Sequence, residues 1–334
     1  MTESNWLQRN GYFRIGTSLL IVLGIAILFQ AFGAVLVTSV DAVRGDSLKE
    51  TPPIAELIAT GIAQLVVMLL GTMLLVRIAR QDPIRVFRLQ GFEETPAMAY
   101  VLAIPIIFAA QLVGSMISVL WEHVLQHLPV IYSHIKELEK LSENVTKGAI
   151  MGKHSLLEAV LVFVTIAIVP ALSEEILFRG FMQTNIEFSG KHGPRPYVAI
   201  LWTSLAFAII HFEPIELPGL FVLGLVLGWM SYRTGNLLVG SVGHVANNAA
   251  IVLVMLLLPQ ASEGPHSAVL SEGETSITDA ATTLVIALPV LIISLVGYYR
   301  LTNSLTARNP PPGLFEHPSA SEPDQHYTED QLHL

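Results

Sequence analysis

The chain alternates between long runs of apolar residues and shorter polar segments. Eight runs have about the 20 residues that an α-helix needs to cross the hydrocarbon core of a bilayer. We therefore predict an all-α, polytopic membrane protein with eight transmembrane helices. The predicted spans cover residues 16–38, 54–78, 97–120, 156–182, 197–213, 217–232, 237–258 and 281–299.

The spans divide the chain into a membrane part and a polar end. We predict one membrane-embedded helical domain over residues 1–302, because the segments between spans are mostly short. Residues 121–155 mix aliphatic with charged side chains, which indicates surface helices. Residues 303–334 are rich in proline and acidic side chains, and this composition predicts a disordered cytoplasmic tail.

Composition narrows the function classes. Of all residues, 13% are charged and the net charge is -9. Nucleic-acid binding needs concentrated Lys and Arg, so we expect no nucleic-acid partner. The chain has no cysteine, which excludes disulfides, thiolate zinc ligands and cysteine nucleophiles. The apolar spans make the lipid bilayer an expected partner. The sequence leaves the oligomeric state open.

The distribution of Lys and Arg between the loops predicts the orientation. With the N-terminus in the cytoplasm, the inner segments hold most of the basic residues, in agreement with the positive-inside rule. Both termini are therefore predicted to be cytoplasmic. The inner basic residues are Arg9, Arg14, Arg77, Arg80, Arg85, Arg88, Lys191, Arg195, Arg233, Arg300 and Arg308.

Five ionisable residues lie deep inside predicted spans, namely Glu174, Glu175, Arg179, His211 and His244. A charge at the bilayer centre costs about 2.5–3.5 kcal/mol on insertion scales, so such groups indicate pairing or function. Glu175 and Arg179 are four residues apart with the acid first, which is the favourable order for a helical ion pair. Glu174 is rotated by about 100° from Glu175, and its carboxylate stays available for chemistry.

Helical spacing also places polar residues beside the two histidines. Phe207 and His211 are four residues apart and share a helix face. His244 and Asn248 share a face in the same way, and Asn247 is only slightly rotated from it. Each predicted helix therefore presents one imidazole together with a second candidate side chain.

The depths of these residues can be compared along their helices. At 1.5 Å per residue, Glu174 and His211 each lie about 23 Å from the turn that joins their spans. His244 reaches the same height if this hairpin projects beyond the inner surface, and the polar segment 183–187 suits such a projection. We predict that the three side chains meet in a polar cavity in the cytoplasmic half of the membrane.

A carboxylate, two imidazoles and an amide suit hydrolysis of a peptide bond. A buried glutamate beside a histidine can hold and deprotonate water, and a histidine with an asparagine can donate to an oxyanion. The sequence contains neither a G-x-S-x-G elbow nor an H-E-x-x-H pair. Glu174, His211 and His244 also match a His₂Glu zinc set with an open position. The cofactor is therefore none or Zn²⁺, and the sequence leaves both open.

These residues stand in motifs that resemble a known family. EEILFR at 174–179 looks like the EExxxR motif of the CPBP intramembrane proteases, which are type II CAAX prenyl endopeptidases and bacterial relatives linked to bacteriocin processing. FAIIH at 207–211 is similar to the family's FxxxH, and HVANN at 244–248 is similar to its HxxxN. The motifs occur in family order on separate predicted helices. The protease-like core covers about residues 156–258.

The resemblance implies an endopeptidase that acts on a membrane-associated peptide or protein. By carry-over, Glu174 and His211 would activate the water, while His244 and Asn248 would stabilise the oxyanion. The bacterial relatives imply a location in the bacterial cytoplasmic membrane. In that setting prenylated CAAX proteins would not be the native substrate.

The resemblance also implies supporting residues and raises the question of metal. Glu175, Arg179 and Phe207 would support the site, and Asn247 is an additional polar candidate. The family is named as metalloproteases, with the same glutamate and histidines as candidate ligands. A metal-free glutamate mechanism, argued for its CAAX branch, is the interpretation we favour.

Two other functions fit the same cluster. A non-catalytic membrane scaffold of the same fold would keep the helices without activity, although intact motifs weigh against it. A proton-coupled transporter would use the buried Glu and His groups as a relay. Transporters often show internal repeats, whereas the membrane charges of this chain lie in its second half.

Overall fold

The computed structural model describes residues 8–9, 11–44, 53–89, 94–137, 155–257 and 277–308. Apart from a short antiparallel hairpin of β1 (Gln8–Arg9) and β2 (Tyr12–Phe13), these residues are mainly helical. The helices are α1 (Ile15–Arg44), α2 (Pro53–Ala63), α3 (Gly71–Ile78), α4 (Pro83–Val86), α5 (Ala97–Leu125), α6 (129–137), α7 (Leu156–Phe163), α8 (Val169–Glu174), α9 (Thr184–Phe188), α10 (Pro196–Ile210), α11 (Leu217–Thr234), α12 (Leu237–Leu257) and α13 (Ile277–Arg308).

Three π-helical segments join neighbouring helices into longer rods. Gln64–Leu70 joins α2 to α3, Val164–Ile168 joins α7 to α8, and Glu175–Gln183 joins α8 to α9. Pro170 lies in the first turn of α8 and has no N–H to donate, so the wider turn before it accommodates the missing bond. The continuous helix Leu156–Phe188, which carries both candidate glutamates, is called the site helix below.

Helices occupy all eight stretches predicted to span the membrane. Within the described residues, six helices are long and apolar enough to cross it, and the all-α polytopic architecture is confirmed. The fifth predicted span is the 15-residue helix α10, and the sixth is the 18-residue helix α11, neither of which is among the six. The count of eight spans and the cytoplasmic termini stay predictions. The six are Ile15–Ser39, Ile54–Ile78, Ala97–Leu125, Leu156–Phe188, Leu237–Val254 and Ile277–Asn303.

Two large apolar clusters form most of the interior of the described residues. The first contains Val22 of α1, Met68 of the second span and Phe178 of the site helix. The second joins α5, α11, α12 and α13 through residues such as Leu227 and Tyr298. Helix α12 borders both clusters, because Leu237 belongs to the first and Val239 to the second. The site helix and α12 are therefore packed where the two halves of the bundle meet.

Glycines allow the helices around the site to approach closely. A Cβ on Gly224 of α11 would lie 3.0 Å from Cα of Ser204 on α10. A Cβ on Gly114 of α5 would lie 2.9 Å from the carbonyl oxygen of Gly219 on α11. Small residues at such crossings bring backbones together, which is the usual packing solution in a membrane where lipid gives no hydrophobic drive.

The polar segment 183–187 is buried within the protein, and the predicted projection of its helical hairpin beyond the inner membrane surface stays a prediction. The hairpin β1–β2 covers this segment, since the backbone N–H of Phe13 donates to Oδ1 of Asn185 over 2.8 Å. Nε2 of Gln81 donates to the same oxygen over 2.7 Å. These side chains are polar, but the hydrogen-bonding groups of Asn185 find their partners in the protein and not in water.

Arg88 lies at the centre of this buried polar region. Its guanidinium forms an ion pair with Glu187 and donates to Oγ1 of Thr184 over 3.1 Å. It also reaches the carbonyl of Ser231 at the end of α11, while its own carbonyl accepts from the N–H of Leu237 at the start of α12. The φ of Arg88 is +50°, a left-handed conformation that is uncommon outside glycine. One residue thus connects the ends of three helices.

The predicted division into a membrane domain and a tail at residue 302 stays a prediction. Helix α13 continues to Arg308, beyond the expected domain end at residue 302. The segment 121–155 contributes the end of α5 and the largely exposed helix α6, which agrees with the expected surface helices as far as residue 137. Residues 138–154 and most of the predicted tail, 309–334, lie outside the described residues.

Candidate active site

The two candidate glutamates stand at a change of helical winding. Glu174 is the last residue of α8, and Glu175 is the first residue of the following π-helical segment. Both are buried. Insertions of π-helical turns are rare and frequently accompany functional sites, so the local geometry singles out the same dipeptide as the charge pattern.

Glu175 and Arg179 form the ion pair that their spacing predicts. Oε1 of Glu175 lies 2.8 Å from Nη1 of Arg179, and both side chains are fully buried. The guanidinium carbon also lies 4.4 Å from the centroid of the Phe207 ring, within the range of a cation–π contact. The cost of burying each charge is reduced by the other charge and by the aromatic face.

His244 is held between the two glutamates. Its Nδ1 lies 3.2 Å from Oε1 of Glu175, and its Nε2 lies 3.8 Å from Oε2 of Glu174. A carboxylate only accepts, so we assign a hydrogen to Nδ1. The ring orientation that directs Nε2 at Glu174 is therefore set by Glu175.

His211 reaches the same carboxylate from the end of α10. It is the residue that follows Ile210, and the next residue, Phe212, ends the helix with a φ of +56°. Nδ1 of His211 lies 2.6 Å from the carbonyl oxygen of Phe207, so Nδ1 donates and satisfies one of the free carbonyls of the last turn. Its Nε2 lies 3.9 Å from Oε2 of Glu174.

The two asparagines lie near these residues but make no bond to them. Asn248 follows His244 by one turn of α12 and is half-buried, and Asn247 is buried. Within the described residues, no hydrogen bond joins either amide to Glu174 or to an imidazole. The roles that the resemblance implies for Asn248 and Asn247 stay predictions.

The sequence did not indicate Gln64, which is part of the cluster. Gln64 is buried in the span Ile54–Ile78, and its Nε2 donates to Oε1 of Glu174 over 3.3 Å. The only signal available was an amide near the middle of an apolar run, and 110 residues separate the two partners. Helical periodicity within one span cannot identify such a contact.

Glu174, His211 and His244 are the candidate zinc ligands. Both imidazoles present an Nε2 whose companion nitrogen is hydrogen-bonded, as in many metal-binding histidines. The Nε2–Oε2 distances of 3.8 and 3.9 Å exceed the roughly 3.4 Å between ligand atoms of a tetrahedral zinc site. Within the described residues, no group of three or more His, Cys, Asp and Glu side chains is arranged to hold a metal ion. The Nε2–Oε2 distances differ from those of a preformed zinc site, and the choice between no cofactor and Zn²⁺ stays a prediction.

Fold and site together characterise an integral, multi-pass membrane protein with a carboxylate–imidazole cluster inside its helical bundle. Residues 156–250 match the family model of the type II CAAX prenyl endopeptidase Rce1-like proteins, which confirms the predicted resemblance over this segment. No curated protein and no solved structure matches the chain. The matched segment includes every motif residue named above but neither Gln64 nor Arg88.

Proposed function

We propose that this protein is an intramembrane endopeptidase that hydrolyses a peptide bond of a membrane-associated peptide or protein. The observation that carries the proposal is the convergence of two imidazole nitrogens, from His211 and His244, on Oε2 of Glu174. Distances of 3.8 and 3.9 Å are too long for direct hydrogen bonds and suit a bridging water molecule. The family match over 156–250 supports the same reaction class.

Glu174 acts as the general base in this proposal. Its carboxylate takes a proton from the water, whose oxygen then attacks the carbonyl carbon of the substrate. Nε2 of His211 accepts the second hydrogen bond of the water and fixes the direction of attack. The bond from Nδ1 of His211 to the carbonyl of Phe207 supports this assignment, because it leaves Nε2 free to accept.

His244 and Asn248 stabilise the oxyanion of the tetrahedral intermediate. In this role the His244 ring carries a hydrogen on both nitrogens, so that Nε2 donates to the oxyanion while Nδ1 donates to Glu175. Asn248 adds an amide donor from the next turn of α12. The C–N bond then breaks as Glu174 returns its proton to the leaving nitrogen, and the carboxylate is restored.

A comparison of membrane-protein fragments in cells tests the proposal and identifies the substrate. Cells that produce the wild type should contain C- or N-terminal fragments that are missing in cells with Glu174→Gln, a variant that keeps the size of the side chain. Glu94→Gln, an exposed acid ahead of α5, is the matched control and should give wild-type fragments. Identical fragment sets for wild type and Glu174→Gln, with both proteins folded, would contradict the proposed reaction.

A further inference from the structure

We infer that Gln64 is a positioning residue of the candidate active site. Its amide holds one oxygen of the Glu174 carboxylate, so that the other oxygen faces the two imidazoles. This inference rests on the proposed function and extends it to a helix outside the family-matched segment 156–250. It assigns a specific task to the second span, in which no catalytic motif occurs.

The two carboxylate oxygens of Glu174 have different neighbours. Nε2 of Gln64 donates to Oε1 over 3.3 Å, whereas Oε2 is the atom nearest to His211 and His244. A primary amide offers two N–H donors and a carboxylate only accepts while ionised, so the bond has one direction. Holding Oε1 fixes the rotation of the carboxylate, and Oε2 is then presented to a water between the imidazoles.

The backbone of the second span supports this task. Gln64 is the first residue of the π-helical segment Gln64–Leu70, close to the middle of the span. The span packs closely against the site helix, because a Cβ on Gly61 would meet the Thr165 methyl group at 2.6 Å. The close crossing brings the Gln64 amide to the buried end of α8.

A purely structural role predicts a different result from a positioning role. Single interhelical hydrogen bonds in membranes contribute little to stability on average, so removal of this bond should change the melting temperature little. Catalysis is more sensitive, because a reacting group must be held in a near-attack geometry. A rate effect without a stability effect therefore distinguishes positioning from packing.

The test uses full-length protein in liposomes and the membrane peptide whose cleavage depends on Glu174. Gln64→Met keeps the length of the side chain and removes the donor. We expect kcat to fall roughly 10- to 100-fold, because the Glu174 carboxylate is no longer held in its reacting orientation, with KM and the melting temperature unchanged. Gln111→Met is the matched control, because Gln111 also lies in a span but bonds to Ser115 of its own helix.

Each outcome decides the inference. A wild-type kcat in Gln64→Met, while Glu174→Gln is inactive, overturns the role of Gln64 and leaves the proposed function intact. A lower melting temperature with activity lost only in proportion to the unfolded fraction shows a structural role and also overturns it. A wild type that cleaves nothing in a Glu174-dependent manner refutes the proposed function, and the role of Gln64 with it.

Discussion

Nδ1 of His244 lies 3.2 Å from Oε1 of Glu175, the carboxylate that also pairs with Arg179. The adjacent glutamate, Glu174, faces the other nitrogen of the same ring. Two neighbouring acids of one motif therefore meet opposite edges of one imidazole. One acid is occupied by structural partners, and the other keeps an oxygen directed at the histidines.

Loss of the Glu175 charge should destabilise the whole bundle. Glu175→Gln leaves a fully buried guanidinium without its counter-charge, and breaking such a pair costs about 3–5 kcal/mol. Thermal unfolding in detergent should show a lower melting temperature for Glu175→Gln and for Arg179→Met. The double variant should recover part of the loss, because no uncompensated charge is left. Additive losses would refute the coupling.

Arg88 should matter for stability as much as the motif residues do. Arg88→Met leaves the buried carboxylate of Glu187 unpaired and removes the contacts to Thr184, and we expect a loss of about 3–5 kcal/mol. Arg85→Met is the control, because its ion pair with Asp82 is partly exposed and should contribute no more than about 1 kcal/mol. Similar melting temperatures for the two variants would contradict the central role of Arg88.

The close crossing of α10 and α11 should not tolerate a larger residue. Gly224→Ala places a Cβ 3.0 Å from the backbone of Ser204, and overpacking of this kind costs about 1–3 kcal/mol. Gly297→Ala is the control, since a Cβ there meets nothing within 4 Å on α13. Its melting temperature should equal or slightly exceed that of the wild type. Equal stability of both alanine variants would show that the crossing can relax.

Cleavage should not depend on a bound metal ion. Both imidazole nitrogens lie farther from Oε2 of Glu174 than the roughly 3.4 Å between ligand atoms of a tetrahedral zinc site. We expect purified, active protein to contain well under one equivalent of transition metal by mass spectrometry. Its kcat should survive prolonged treatment with a chelator. Loss of activity on chelation, with recovery on adding Zn²⁺, would instead show that cleavage depends on the metal.

Local features of the site follow directly from the sequence, whereas long-range ones do not. The Glu175–Arg179 pair is predictable because residues four apart on a helix are neighbours. Gln64 is not, because hydropathy within one span does not indicate which residue faces another helix. The burial of residues 183–187 could not be predicted for a related reason. The polarity of a side chain does not tell whether its hydrogen-bond partners are water or protein.

The end of α10 shows how a small local signal changes the architecture. The apolar run continues past His211 to Phe212, so a span to residue 213 was expected. Pro214 disfavours helical geometry at the preceding residue, and the helix ends at Ile210. The carbonyl of Pro214 then accepts from Nε1 of Trp121, which fixes the loop against α5. A proline two residues beyond an apolar run was the signal for this boundary.

The shortness of α10 has a consequence for hydration. Its 15 residues rise about 22 Å, less than the roughly 30 Å of hydrocarbon that a full span crosses. A helix end at that depth carries backbone carbonyls that protein or water must satisfy, because lipid cannot. His211 satisfies the carbonyl of Phe207. The proposed hydrolysis consumes water as well as peptide, and we expect the polar end of α10, beside His211, to be where that water reaches Glu174.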